Sequence, residues 1–236
     1  QINFMNRYKY NGERLKSQIG IQIMRDEKAG GQLGYDFGED FQTSPEYGFM
    51  NQTTRAEVFG KVGVLFPSKP YQGLGFIYSG TFTDIDAGFG RDAYSGKEKT
   101  LYGNLIYQNI IGNSFHQYKA GVSLLYDDFD EVYADSTFAR TEVVPRAYFE
   151  YSYLPGDDFS LILGNRVDFH NLYGAFYTPR LHTRYAFNEN TAIRLAIGRG
   201  YRVGNPLVEN INSLVSSRQL IVTEDLDPEI SWNMGG

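Results

Sequence analysis

Two residue pairs in this sequence have the spacing of acid–base chemistry, Asp84-Ile-Asp86 and Asp168-Phe-His170. Alternate residues of a strand share a face, so each pair would present its two groups side by side. Opposed across a cleft, a carboxylate pair and a His–Asp pair could activate a water for hydrolysis. Two observations count against this reading. D-x-D also occurs at 128/130 and 225/227. Alternation places Asp168 and His170 on the polar face of their strand, whereas Asp84 and Asp86 continue the apolar set Phe76, Tyr78 and Phe82. Only a bulge would bring the pairs together. A second stretch, GRGYRVGNPLVEN at 198–210, puts glycines after an alternating apolar run, as a phosphate loop does. Its spacing is G-x-G-x-x-x-G, not the dinucleotide fingerprint, and no βαβ pattern surrounds it. Asn205 reads instead as a helix N-cap, Pro206 as the first helical residue, and Leu207, Val208, Ile211, Leu214 and Val215 as one apolar face.

Composition removes further chemistry. The 236 residues contain no cysteine, which excludes thiol catalysis, thiolate metal sites and disulfides. His116, His170 and His182 lie too far apart for a metal-ligand motif, so neither metal nor cofactor is expected. A net charge of −6 argues against nucleic acid as a partner. No run reaches the ~20 apolar residues of a membrane helix. The chain opens at Gln1 and ends WNMGG, which reads as a fragment of a longer protein.

The elements that must position these residues are strands. Period-2 alternation recurs at 54–66, 74–82, 101–111, 118–126, 143–153, 159–169, 179–187 and 193–197. A further strand is expected near 16–24 and the start of another at 229–232, about ten in all. The stretches run to about 9–13 residues, where soluble strands average about 5–6 and a tilted membrane strand needs roughly 9–11. One face is apolar and the other carries Arg146, Arg166, Arg180, Arg184 and Arg194 in mid-strand, which suits a wet lumen. Short connections (67–72, 112–116, 155–158, 188–191) alternate with long ones (25–53, 84–98, 127–140, 200–228). The lipid-side residues next to the short turns, Phe66, Tyr118, Tyr153, Phe159 and Phe187, form an aromatic girdle. Together these predict an all-β, antiparallel transmembrane barrel facing outer-membrane lipid, with short periplasmic turns and long extracellular loops.

TPRLHTRYAF (178–187), IRLAIGRGYR (193–202), NPLVEN (205–210) and LDPEISWNMG (226–235) resemble TonB-dependent outer-membrane receptors, with a Bacteroidetes-like flavour. The resemblance rests on Pro179, Arg180, Gly198, Gly200, Tyr201, Arg202, Glu209, Leu226, Pro228 and Glu229. It implies part of a 22-stranded barrel in the bacterial outer membrane, whose full-length form holds a plug domain and works with the TonB complex. No plug and no terminal strand is recognisable in this stretch, which would place it mid-barrel. Such receptors import a scarce ligand, whether a ferric siderophore-like chelate, cobalamin, metal or glycan, without catalysis. Residues 84/86 and 168/170 also resemble the rim pairs of omptin-like proteases, which are ten-stranded barrels. A passive porin is the remaining alternative within transport.

For a receptor, the expected ligand-contacting residues are Phe89, Arg91 and Tyr94 in one rim loop and Arg199, Tyr201, Arg202 and Asn205 at another. The lumen arginines would meet a plug or an anionic ligand, or pair across strands with Glu57, Glu150 and Asp168. Clustered acids in 84–98 and 127–140 offer oxygens to Ca²⁺ or simply keep the rim solvated.

Overall fold

The computed structural model describes residues 1–35, 45–205, 207 and 226–236. Twelve strands form one antiparallel sheet: β1 (Ile2–Asn11), β2 (Leu15–Gly31), β3 (Gly48–Leu65), β4 (Gly73–Phe89), β5 (Asp92–Ile111), β6 (Asn113–Tyr133), β7 (Ser136–Tyr153), β8 (Phe159–His170), β9 (Gly174–Tyr177), β10 (Arg180–Asn188), β11 (Thr191–Arg202) and β12 (Glu229–Gly235). Each strand pairs with the next along the chain, except that β9 and β10 both lie against β8. Their register is continuous, from Asp168↔Phe176 through to Gly164↔Arg180, so they form one line of chain. Pro179 interrupts it because it has no N–H to give the ladder. β1 and β12 are open edges among the described residues.

Register sorts the side chains into two faces. Ile21, Val58, Gly80, Leu101, Tyr126 and Val143 form one row across β2 to β7. Ile21, Val58 and Leu101 are exposed there, as are Phe76, Leu105, Val122 and Phe149 in rows nearer the short turns. Beyond this band the same face becomes charged, with Lys99 beside Asp128 and then Lys97 beside Asp130. An exposed apolar band bounded by charge is the outer surface of a membrane barrel. Near the short turns, ring centroids lie 6.1 Å apart for Tyr107–Tyr118, 5.9 Å for Tyr118–Phe149 and 6.1 Å for Tyr153–Phe159. Tyr118, Tyr153 and Phe159 of the girdle therefore sit at the height that alternation assigned them.

Two details differ from expectation, and a third lies outside the described residues. β1 precedes the first expected strand; Asn6 breaks its apolar alternation, although Ile2, Phe4, Tyr8 and Tyr10 maintain it. The stretches 84–98 and 127–140 are strand extensions, because β4–β5 turn at Gly90–Arg91 and β6–β7 at Ala134–Asp135. Their Asp, Thr and Tyr residues pair across the hairpin and keep the ladder going beyond the membrane. The helix expected from Pro206 to Val215 falls, apart from Leu207, outside the described residues. Asn205 does act as a cap: its Oδ1 accepts the Leu207 N–H at 3.1 Å.

Candidate functional site

The polar face is built of cross-strand rows. Arg146 stands opposite Asp168, and Glu150 opposite Gly164, which is in turn opposite Arg180. A Cβ on Gly164 would lie 2.6 Å from the Arg180 side chain, so that glycine leaves the channel through which Arg180 reaches Glu150. Lys119 meets the same carboxylate at 3.2 Å. Asp168 is fully buried, with Arg166 Nε at 3.0 Å and Arg146 Nε at 3.5 Å. Neither arginine contact is an aligned hydrogen bond. The aligned one comes from Tyr201, whose hydroxyl donates to Asp168 Oδ2 at 2.8 Å.

Tyr201 is where simple alternation fails. Counted from Ile197 it belongs with the lipid-side set, yet its ring stacks on Phe176 with centroids 3.9 Å apart. Phe176 stands opposite Asp168, on the polar face. The departure comes after Gly198 and Gly200, two residues without side chains, although the pairing of β11 with β12 runs on unshifted. Around these groups lies a cavity of about 390 Å³, lined by Arg146, Arg166, Arg180 and Arg199 together with Tyr102 and Asn104. Arg199 Nη1 donates to the Tyr177 carbonyl at 2.9 Å. Arg202 holds Glu229 at 3.0 Å and locks β11 to β12. Arg184 reaches the Asp157 carbonyl, and Arg194 stands opposite Arg184.

Further out, the same face holds a second group. Glu131 is buried and accepts two hydrogen bonds, from Tyr94 at 2.9 Å and from Asn205 Nδ2 at 3.2 Å. Asn205 follows β11 whereas Glu131 lies on β6, so the chain leaving β11 folds inward over the intervening strands. Leu207 then packs against Ala87, Phe89 and Tyr133, with Phe49, Tyr94 and Phe138 around them. Burial pushes the Tyr94 phenol well up, with Glu131 adding to it. Burial likewise pushes Tyr133 up to about 12, helped by Asp92. Glu98 and Asp127 are raised chiefly by burial; the Asp127 charge raises Glu98 further, and the Glu142 charge raises Asp127 further. Arg91 is exposed at the β4–β5 turn.

The structure thus brings Phe89, Tyr94 and Asn205 into one packed cluster and Tyr201, Arg146 and Arg166 onto Asp168. Glu131, Phe176 and Tyr148 escape sequence reading. Single acids and aromatics carry no motif, and only register shows Tyr148 lying across Gly121 to bond Asn104 at 3.1 Å. The hydrolytic constellation is not assembled. Asp84 and His170 sit on β4 and β8, separated by four strand spacings, roughly 19 Å, and on opposite faces. His170 is instead held between Glu142, 3.3 Å from Nε2, and the Leu172 N–H, which donates to Nδ1. No group of three or more metal-ligating side chains forms among the described residues.

Solved structures with the same fold include two siderophore receptors and an outer-membrane receptor. The siderophore receptor PirA of Acinetobacter baumannii matches 86% of this chain and 33% of its own, with TM-score 0.67 and 12% identity. The alcaligin outer-membrane receptor FauA of Bordetella pertussis matches 86% and 36%, with TM-score 0.63 and 12% identity. PirA of Pseudomonas aeruginosa matches 86% and 39%, with TM-score 0.53 and 15% identity. The chain spans about a third of the length of these receptors. No curated protein matches its sequence. The family model described as TonB dependent receptor-like, beta-barrel, matches residues 3–234. Sequential antiparallel strands, an apolar outer band and a charged inner face agree with that match, and the chain belongs to the TonB-dependent receptor-like β-barrel family.

Proposed function

We propose that this chain is part of the barrel wall of an outer-membrane receptor that imports an anionic metal chelate, of the ferric-siderophore kind, using energy relayed by TonB. The observation that carries the ligand class is local charge. Around the inner cavity four guanidiniums (Arg146, Arg166, Arg180, Arg199) meet two carboxylates (Asp168, Glu150), a surplus of two positive charges in a chain of net charge −6. Such a site attracts an anion and repels a cation. Arg91, Arg199, Tyr201 and Arg202 are assigned to the ligand path, while Phe89, Tyr94 and Asn205 shape its mouth through the Leu207 cluster. The remaining partners on this reading are outer-membrane lipid around the apolar band and the receptor's own interior domain.

The test is uptake by intact cells. Deleting the gene should abolish energy-dependent accumulation of one class of labelled ferric chelate, and the full-length gene should restore it. A full-length R166Q/R180Q double variant should restore at most about a tenth of it. Accumulation that persists without TonB identifies a passive porin and overturns the proposal. Loss of cobalamin or glycan uptake alone overturns the ligand class.

A further inference from the structure

β7 reaches farther from the membrane than its neighbour on the β8 side. β6 pairs with it without a register shift as far as Tyr133↔Ser136, whereas β8 pairs with it only up to Arg146↔Asp168. Asn171 occupies the first rungs of the edge left above β8. Its N–H donates to the Val143 carbonyl at 3.2 Å, its Oδ1 accepts the Val143 N–H at 2.8 Å, and its Nδ2 donates to the Thr141 carbonyl at 2.9 Å. Alternate residues of a strand turn their backbone groups the same way. The Thr141 N–H and the N–H and C=O of Ala139 and Thr137 therefore line the same edge. Among the described residues none of these five groups has a backbone partner.

Exposed edges are ordinarily blunted by lysine, proline or a bulge. Residues 136–141 contain neither lysine nor proline, and no bulge interrupts their pairing with β6. Thr137, Ala139 and Thr141 are exposed. The one charge, Arg140, lies on the inner face with its guanidinium 4.5 Å over the Phe129 ring, and its Nε is 2.8 Å from Glu142 without an aligned hydrogen bond. We propose that this β7 edge binds an extended segment of a second polypeptide outside the cell by strand addition, with an acidic side chain of that segment facing Arg140. The proposal rests on the outer-membrane placement above, which puts the long hairpins outside. Free donors and acceptors alternating at strand spacing match an extended backbone, whereas an anionic chelate offers acceptors alone. A second copy of the receptor does not fit either. Two receptors in one membrane point the same way, and strands tilted by roughly 35–45° in opposite senses would cross at this edge.

The test compares the full-length receptor in isolated outer membranes with the same receptor purified in detergent, by hydrogen exchange read at residues 136–142. The amides of Thr137, Ala139 and Thr141 should exchange at least tenfold more slowly in the membranes, where the partner is present. Benzoylphenylalanine replacing Thr137 in intact cells should form a photo-adduct with a second protein, at an extended stretch that carries an acid. A139P removes an N–H that faces away from β6, so the barrel should keep its heat-modifiable mobility on gels while the adduct and the protection are lost. R140Q, which leaves the ladder intact, should weaken the adduct at least threefold. Fast exchange in both preparations overturns the proposal. So does protection that survives purification, which assigns the edge to the receptor's own chain. An adduct with polysaccharide or with the receptor itself overturns it too, as does one unchanged in A139P; one unchanged in R140Q overturns the acidic partner. Chelate uptake by the wild-type receptor is scored separately, so a failed edge and a failed receptor reading remain distinct results.

Discussion

Asp168 shows how one residue organises the inner face. A buried carboxylate is tolerated only when paired, and here two guanidiniums and the Tyr201 hydroxyl surround it. Removing the acid leaves Arg146 and Arg166 facing each other without compensation. D168N in the full-length receptor should therefore cost about 3 kcal/mol, read as a lowered midpoint of heat-modifiable unfolding. Y201F removes one hydrogen bond to a charged acceptor and should cost about 1.5 kcal/mol. If D168N proves no more damaging than Y201F, the acid is not the centre of the network. By contrast, E229A removes an exposed partner of Arg202 and should shift stability by less than about 1 kcal/mol.

Strand ends follow from particular side chains. β8 stops pairing with β7 at Arg146↔Asp168, one residue short of Pro145, which has no N–H to continue the ladder. Asn171 replaces the missing strand: its Oδ1 accepts the Val143 N–H and its Nδ2 donates to the Thr141 carbonyl. The extensions of β5 and β6 carry the raised carboxyls Glu98 and Asp127. A carboxyl raised in the folded state opposes folding when charged, so stability rises as pH falls through its folded value and levels off below its unfolded one. Amide protection in the β4–β7 extensions, with exchange corrected for its intrinsic pH dependence, should thus rise as pH falls from neutral toward the ordinary carboxylate range near about 4, because both carboxyls are lifted above that range. E98Q/D127N should slow exchange at neutral pH and flatten that dependence. Protection that falls on acidification in the wild type would contradict this assignment.

At the scale of the molecule, the sheet ends, among the described residues, in two unpaired edges, β1 and β12, and presents a broad apolar face. Both features are liabilities in water: edges recruit strands, and the apolar band seeks lipid. Residues 1–236 expressed alone should aggregate without detergent, as judged by sedimentation. A monodisperse, soluble monomer would count against the membrane placement. Half of a 22-strand barrel would be eleven lines of strand, which is the number obtained when β9 and β10 are taken as one.

Alternation was enough to determine the membrane-band stretches of β2 to β8, β10 and β11, their apolar and polar faces, and Tyr118, Tyr153 and Phe159 of the girdle, because period-2 patterning is a local property that each strand carries by itself. It missed β1 and the strand extensions, whose polar residues break the pattern. Arg202 and Glu229 were legible as members of a pattern, and register then made them partners. Contacts between strands distant in the chain were not legible. Asn205 on Glu131 and Tyr201 on Asp168 depend on which strands become neighbours and on how the chain leaves β11. The same limit explains the acid pairs that suggested hydrolysis. Spacing along one strand shows which groups share a face, but only the order of strands in the sheet decides which faces and ends meet, and that order keeps Asp84 and His170 apart.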